Sequence, residues 1–211
     1  MRIVCLSDTH LQHDFKVPDG DMLLHAGDQT FEGTIPELQK FWKWFNGFPH
    51  KYKIFIAGNH DWGYYNQWSI VSPMLERYEG ITYLQDGEVI ADGLKIYGSP
   101  WQPEFCNWAF NLGRYDGSLK EKWAMIPDDT NILITHGPPM HILDRTWAGE
   151  DVGCYDLSMR IQDLKNLKLH VFGHIHPAYG VVERFNCKFI NASICNHQYR
   201  PVNAPIVVEV K

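Results

Sequence analysis

The segment Tyr52-Lys53-Ile54-Phe55-Ile56-Ala57-Gly58-Asn59-His60-Asp61 runs an apolar strand straight into three polar side chains of different chemistry. The glycine is expected to free the backbone for a sharp turn. Asn59 then offers a carboxamide oxygen, which is a neutral metal ligand, and His60 an imidazole free to give or take a proton. Asp61 either orients this turn or caps it. Strand ends are where α/β proteins place their sites, so the other strand ends are read next.

Arg2–Leu6 reads as a buried strand closed by Ser7-Asp8-Thr9-His10. Side chains two apart in an extended chain point the same way, so Asp8 and His10 can converge on one ion. Taken alone, this pair also fits a capping aspartate beside an ordinary loop histidine. Residues 21–26 form a second strand signal closed by Gly27-Asp28, whose carboxylate can bridge two cations. His25 lies inside that apolar run and reads as a packed core residue. Residues 131–135 end in His136-Gly137-Pro138-Pro139, and residues 169–172 end in Gly173-His174-Ile175-His176-Pro177. The strands are expected to bring these ends to one crevice. Eight donors exceed a single tetrahedral zinc site. They suit two ions about 3.5–4 Å apart that share one carboxylate.

Between these strands the pattern is helical. Thr34 is a candidate N-cap with Glu37 three residues on, and Pro36 fits the first turn. Leu38, Phe41, Trp42 and Phe45 share one face of a helix over 34–46. A second helix is expected over 70–78, with Ser72 and Pro73 as its start signal, a third over 118–125, and a fourth over 156–167 capped by Asp156. Asp86-Gly87 and Asp92-Gly93 predict two hairpin turns among strands at 81–84, 88–91 and 94–98, an antiparallel meander. Asn186-Cys187 is a weaker hairpin signal between strands at 179–184 and 187–192, and a last strand covers 206–210. Residues 98–117 are irregular and rich in aromatic rings: Trp101, Phe105, Trp108, Phe110 and Tyr115. Such a loop either pins itself to the body or walls a pocket, and common aromatic packing favours the first.

At 211 residues and 45% hydrophobic, the chain suits a single domain over 1–211. A formal charge of -6 argues against a broad nucleic-acid surface but not against a small phosphate ester, because bound cations reverse the local sign. No run is long enough to span a bilayer, and the apolar stretch Ile3–Leu6 is too short for a signal peptide. Five widely spaced cysteines without a Cys-x-x-Cys pair fit free thiols in a reducing cytosol, so a cytoplasmic location is expected.

The order Asp-x-His, Gly-Asp, Gly-Asn-His-Asp, a later His, then Gly-His-x-His resembles the calcineurin-like metallophosphoesterase superfamily. The motifs span residues 8 to 176. Gly98-Ser99-Pro100-Trp101-Gln102-Pro103 and Thr135-His136-Gly137-Pro138-Pro139 look like its small, metallophosphoesterase-domain branch. The resemblance implies an α/β/β/α sandwich of two mixed sheets with helices outside. It implies that Asp8, His10, Asp28 and His176 hold one metal ion and that Asp28, Asn59, His136 and His174 hold the other. It further implies that a hydroxide between the ions attacks phosphorus and that His60 acts as general acid beside Asn59. Mixed oxygen and nitrogen ligands accommodate manganese, iron, magnesium or zinc, manganese being the first expectation.

The chain departs from the family's protein phosphatases at Phe31 and Glu32, where those carry an Asp that orients the acid and an Arg that grips a phosphomonoester. A singly charged phosphodiester is therefore the expected substrate, and the resemblance to the small branch implies 2′,3′- or 3′,5′-cyclic nucleotides as the leading class. A phosphomonoesterase of the same chemistry and a non-catalytic scaffold are the alternatives. Arg114, Arg145 and Arg200 lie in irregular segments and are candidates for phosphate contacts.

Overall fold

The computed structural model describes residues 1–210. In chain order the strands are β1 (Arg2–Leu6), β2 (Met22–Ala26), β3 (Tyr52–Ile56), β4 (Thr82–Tyr83), β5 (Gly87–Ala91), β6 (Leu94–Ser99), β7 (Gln102–Pro103), β8 (Asn111–Leu112), β9 (Ile132–Thr135), β10 (Leu169–Phe172), β11 (Gly180–Arg184), β12 (Cys187–Asn191) and β13 (Ile206–Glu209). The helices are α1 (Ile35–Asn46), α2 (Trp62–Asn66), α3 (Trp68–Leu75), α4 (Ser118–Ala124) and α5 (Tyr155–Asp163). Two mixed sheets result, ordered β13-β1-β2-β3-β4 and β11-β12-β10-β9-β6-β5, and β7 and β8 pair separately within the segment 98–117 expected to be irregular. The strands that carry motifs run parallel to one another within each sheet: β1 to β2, β2 to β3, and β9 to β10.

Alternation along the strands builds the layers. Ile3 and Cys5 of β1 join Leu24, Ile54 and Ile56 against Ile96, Ile132, Ile134, Val171 and Ile190 of the second sheet. Val4, Leu6, Leu23 and Phe55 face the other way, onto Leu38, Phe41, Trp42 and Phe45 of α1. Leu133, Phe172 and Phe189 leave the second sheet's outer face to meet Leu119, Trp123, Leu157 and Ile161 of α4 and α5. The architecture is the α/β/β/α sandwich of two mixed sheets that the sequence implied. Each fully buried side chain of this kind contributes about 1.5–3 kcal/mol. His25 faces the α1 side, with Nε2 2.9 Å from Thr9 Oγ1 and its ring 5.1 Å from that of Phe41. It is a core residue, as expected.

The capping box of α1 forms, with Glu37 Oε2 accepting from Thr34 N at 3.1 Å and from Thr34 Oγ1 at 3.1 Å. The helix expected over 70–78 is α3, shifted to Trp68–Leu75, and a further short helix, α2, precedes it where none was expected. Pro73 lies inside α3 rather than at its start, because burial of Val71 and Leu75 under the first sheet outweighs one lost backbone bond. The fourth helix is capped by Cys154, not Asp156: the Cys154 sulfur accepts from Leu157 N at 3.4 Å and from Trp123 Nε1 at 3.2 Å. Asp92-Gly93 does close the β5–β6 hairpin, with φ of 47° and 82°. Asp86-Gly87 does not. It carries the chain from β4 in one sheet to β5 in the other, and Asp86 instead accepts from Ser99 Oγ, Trp101 Nε1 and Lys122 Nζ. Local turn chemistry is the same at both sites, and only the partner strand tells them apart. Among the described residues no helix is long and apolar enough to cross a membrane, and all five cysteines are free thiols.

Candidate metal centre

Four of the motif residues sit in left-handed backbone: Asp8 (φ 51°), His10 (φ 42°), Asp28 (φ 55°) and His174 (φ 67°). Such conformations cost about 1–3 kcal/mol each and persist only where surrounding structure fixes them. Here the loops fix one another. Asp8 N donates to Gly27 O at 2.9 Å, His10 N to Asp28 O at 3.1 Å, and Gly173 N to His136 O at 2.9 Å. Gly58 is not left-handed. The expected turn forms, with Asp61 N donating to Gly58 O at 3.1 Å, but a Cβ at Gly58 would collide with Asp28, so the glycine is needed for close approach rather than for a left-handed backbone.

The structure brings all eight predicted side chains together. Asp8, His10 and His176 present ligand atoms within 4.8 Å of one another, as do Asp28, His136 and His174. Asn59 Oδ1 lies 2.9 Å from His136 Nε2, and His60 N donates to Asp28 Oδ1 at 2.8 Å. Three imidazole nitrogens surround Asp28 Oδ2: His136 Nε2 at 3.4 Å, His10 Nε2 at 3.8 Å and His60 Nε2 at 4.0 Å. Asp8 is held by His174 N at 3.0 Å, Ser193 Oγ at 2.8 Å and His176 Nε2 at 3.2 Å.

Main-chain carbonyls set the rings. The Nδ1 atoms of His10, His136 and His176 lie 2.9, 2.9 and 3.0 Å from the oxygens of Thr30, Ala26 and Asn196. A carbonyl can only accept, so Nδ1 carries the proton and the Nε2 lone pair turns inward, the usual second contact of a metal-binding histidine. His10 Nε2 is buried without any hydrogen-bond partner. Inward lone pairs facing carboxylate and carboxamide oxygens call for positive charge between them, and the donor set around Asp28 therefore fits bound cations.

Without metal, protons take that place. Burial would raise Asp8 and Asp28, but His176 beside the first and His136 beside the second outweigh it and hold both well below the usual carboxylate range. Burial would lower His136, yet Asp28 overcomes it and lifts the group to about 9. Burial prevails at His10 and His174, lowering them to about 4 and about 3.

Asp61 settles its own role. It accepts from Gly58 N at 2.8 Å, Gln29 N at 3.3 Å, Thr30 N at 3.0 Å and Thr30 Oγ1 at 2.6 Å, stapling the Asp28 turn to the Asn59-His60 turn. Beside it, the Phe31 carbonyl lies 2.7 Å from His60 Nδ1. The orienting contact that the sequence lacked as a side chain is therefore present as backbone, which sequence reading could not find.

Above the cluster lies a cleft of ≈ 310 Å³, walled by Phe105, Trp108, Trp147, His197 and Tyr199. The Trp108 ring lies 4.2 Å from that of His60. The aromatic loop thus does both jobs weighed for it: Trp101 and Phe110 anchor it, while Phe105 and Trp108 reach the cleft. Neither Arg114, Arg145 nor Arg200 lines the cleft, and the Arg114 guanidinium donates to the carbonyls of Val152 and Gly153. A larger hollow of ≈ 600 Å³ beside α3 shares no residue with the cluster.

A fold of this kind with a clustered His/Asp donor set is that of a metal-dependent phosphoesterase. The chain belongs to the calcineurin-like phosphoesterase family, whose sequence model matches residues 1–178. It is 44% identical to human "Metallophosphoesterase domain-containing protein 1", over 99% of this chain and 71% of that one. It is 40% identical to the Caenorhabditis elegans "UPF0046 protein K07C11.7", over 98% and 74%. The solved structure of TT1561 from Thermus thermophilus shares the fold with a TM-score of 0.62 at 12% identity, covering 90% of this chain and 88% of that one.

Proposed function

We propose that this phosphoesterase hydrolyses small phosphodiesters, with 2′,3′- or 3′,5′-cyclic nucleotides the leading substrates. Asp8, His10, Asp28 and His176 would hold one divalent cation, and Asp28, Asn59, His136 and His174 a second, with Asp28 shared. Manganese is the first candidate. Cations there supply Lewis acidity toward phosphoryl oxygens and lower the proton affinity of water enough to make it a nucleophile near neutral pH.

The chain's own groups do the rest. His60 gives a proton from Nε2 to the leaving oxygen. Its Nδ1–H, donated to the Phe31 carbonyl, keeps Nε2 on the cleft side, and the Trp108 ring packs against the imidazole. Ala109 N donates to Asn59 O at 3.2 Å and ties this aromatic wall to the motif turn. The free thiols agree with a reducing compartment, and we place the protein in the cytosol.

The preference for diesters rests on one observation. Among the described residues that line the cleft there is neither arginine nor lysine. A monoester dianion would leave one charge without a side-chain partner, whereas a diester carries a single charge. After metal loading, kcat/KM for bis-p-nitrophenyl phosphate should exceed that for p-nitrophenyl phosphate, and cyclic nucleotides should be opened. The reverse preference, with no cyclic nucleotide hydrolysed, would overturn the proposal.

A further inference from the structure

A cleft without arginine or lysine must still hold the ester's non-bridging oxygens. Tyr199 stands beside the place where they would lie. It lines the cleft at 37% exposure. Its ring is edge-on to His10 at 4.7 Å, 5.4 Å from Phe31, 6.0 Å from His60 and 6.1 Å from His176. The charges of Asp28 and Asp8 both reach its phenol.

Its backbone is left-handed, with φ of 56°, a conformation that costs a bulky residue energy and needs other contacts to hold it. Those contacts are present. Tyr199 N donates to Asn196 O at 2.8 Å, and Asn196 N to Arg200 O at 2.9 Å. Asn196 Oδ1 accepts from Gln198 N at 2.9 Å and from Arg200 N at 3.1 Å. The same Asn196 carbonyl lies 3.0 Å from His176 Nδ1. One oxygen thus orients a ligand histidine and fixes the tyrosine beside it. The Tyr179 hydroxyl is taken by Ala204 O at 2.8 Å. By contrast, no hydrogen bond among the described residues engages the Tyr199 hydroxyl.

We infer that Tyr199 is a substrate-contacting residue whose hydroxyl donates a hydrogen bond to a non-bridging phosphoryl oxygen. The inference rests on the phosphodiester reading above and supplies its missing oxygen contact. A phenol stays protonated at neutral pH and is a neutral donor. It can serve a singly charged ester without the added positive charge that would favour a dianion. A merely shielding role would need the ring alone, and Tyr199→Phe separates the two.

The test compares Tyr199→Phe with the natural protein, both metal-loaded. It measures kcat/KM for bis-p-nitrophenyl phosphate, the dissociation constant of dimethyl phosphate as an unreactive monoanionic diester, and metal content. Both kcat/KM and dimethyl phosphate affinity should fall by about 10- to 100-fold, as expected for a hydrogen bond to a charged oxygen, at unchanged metal content. Equal values for the two proteins would overturn the inference. So would a loss of metal, which would assign the hydroxyl to the centre rather than the ester. If the natural protein turns over no diester, the proposed function fails while the dimethyl phosphate arm still decides on Tyr199.

Discussion

Asp61→Asn changes one atom and should be felt across the whole centre. Each Asp61 oxygen serves two donors: Oδ2 takes Gly58 N and Gln29 N, and Oδ1 takes Thr30 N and Thr30 Oγ1. A carboxamide has one accepting oxygen and one donating nitrogen. In the cheaper orientation its NH2 replaces Oδ1. Thr30 Oγ1 can then rotate to accept, but Thr30 N is left buried and unpaired at a cost of about 1–3 kcal/mol. The bonds that remain also change from charge-assisted to neutral, weakening each by about 1 kcal/mol. Against this, burial first and the Asp28 charge second raise Asp61 to about 7, so loss of the charge brings some relief. The net expectation is a loss of about 2–3 kcal/mol, or roughly 5–10 °C in Tm for a chain of this size. Urea unfolding of the chelator-treated protein measures the first quantity. Metal analysis of the untreated variant should show loss of bound ion, because Gln29 and Thr30 directly follow Asp28. A variant within about 0.5 kcal/mol of the natural protein and with full metal content would show that the staple does not hold the site.

Three further outcomes follow from the same geometry. His60→Ala should lower diester turnover by about 10²–10⁴-fold while metal content holds; an unchanged rate would remove His60 from the chemistry. Gly173→Ala would drive a Cβ into Asp8 and Ser7, so circular dichroism should remain near normal while bound metal falls, and full metal retention would contradict the packing described. His136 is lifted to about 9 without metal, where the Asp28 charge overcomes burial. Its proton therefore stabilises the metal-free fold fully below the unfolded value of about 6.5, and that contribution is lost as pH rises through about 9. A cation must displace this proton, so apparent metal affinity should climb with pH across that window, by up to about tenfold per unit. Chelator competition at several pH values checks it, and a flat profile would refute it.

The residues that meet in the candidate centre were legible because each is announced locally. An apolar run followed by glycine and a ligand-type side chain needs no knowledge of distant partners, and five such strand ends pointed to one pair of cations. The layers were legible for a related reason: alternation in β1 sends Ile3 and Cys5 one way and Val4 and Leu6 the other. What the chain could not disclose in one dimension depends on pairing and on backbone. Asp86-Gly87 and Asp92-Gly93 look alike, yet only the second closes a hairpin, because β4 and β5 lie in different sheets. The Phe31 carbonyl orients His60, and every residue has a carbonyl, so no residue type marks it. Tyr199 arrives at the cleft from the far end of the chain through a left-handed turn fixed by Asn196. The sequence by itself determined which side chains are candidate ligands and the alternation that layers the sheets, since both are written in side-chain identity. Tertiary structure alone decided what orients His60, what walls the cleft and which charges are absent from it, since those are set by where separate loops meet.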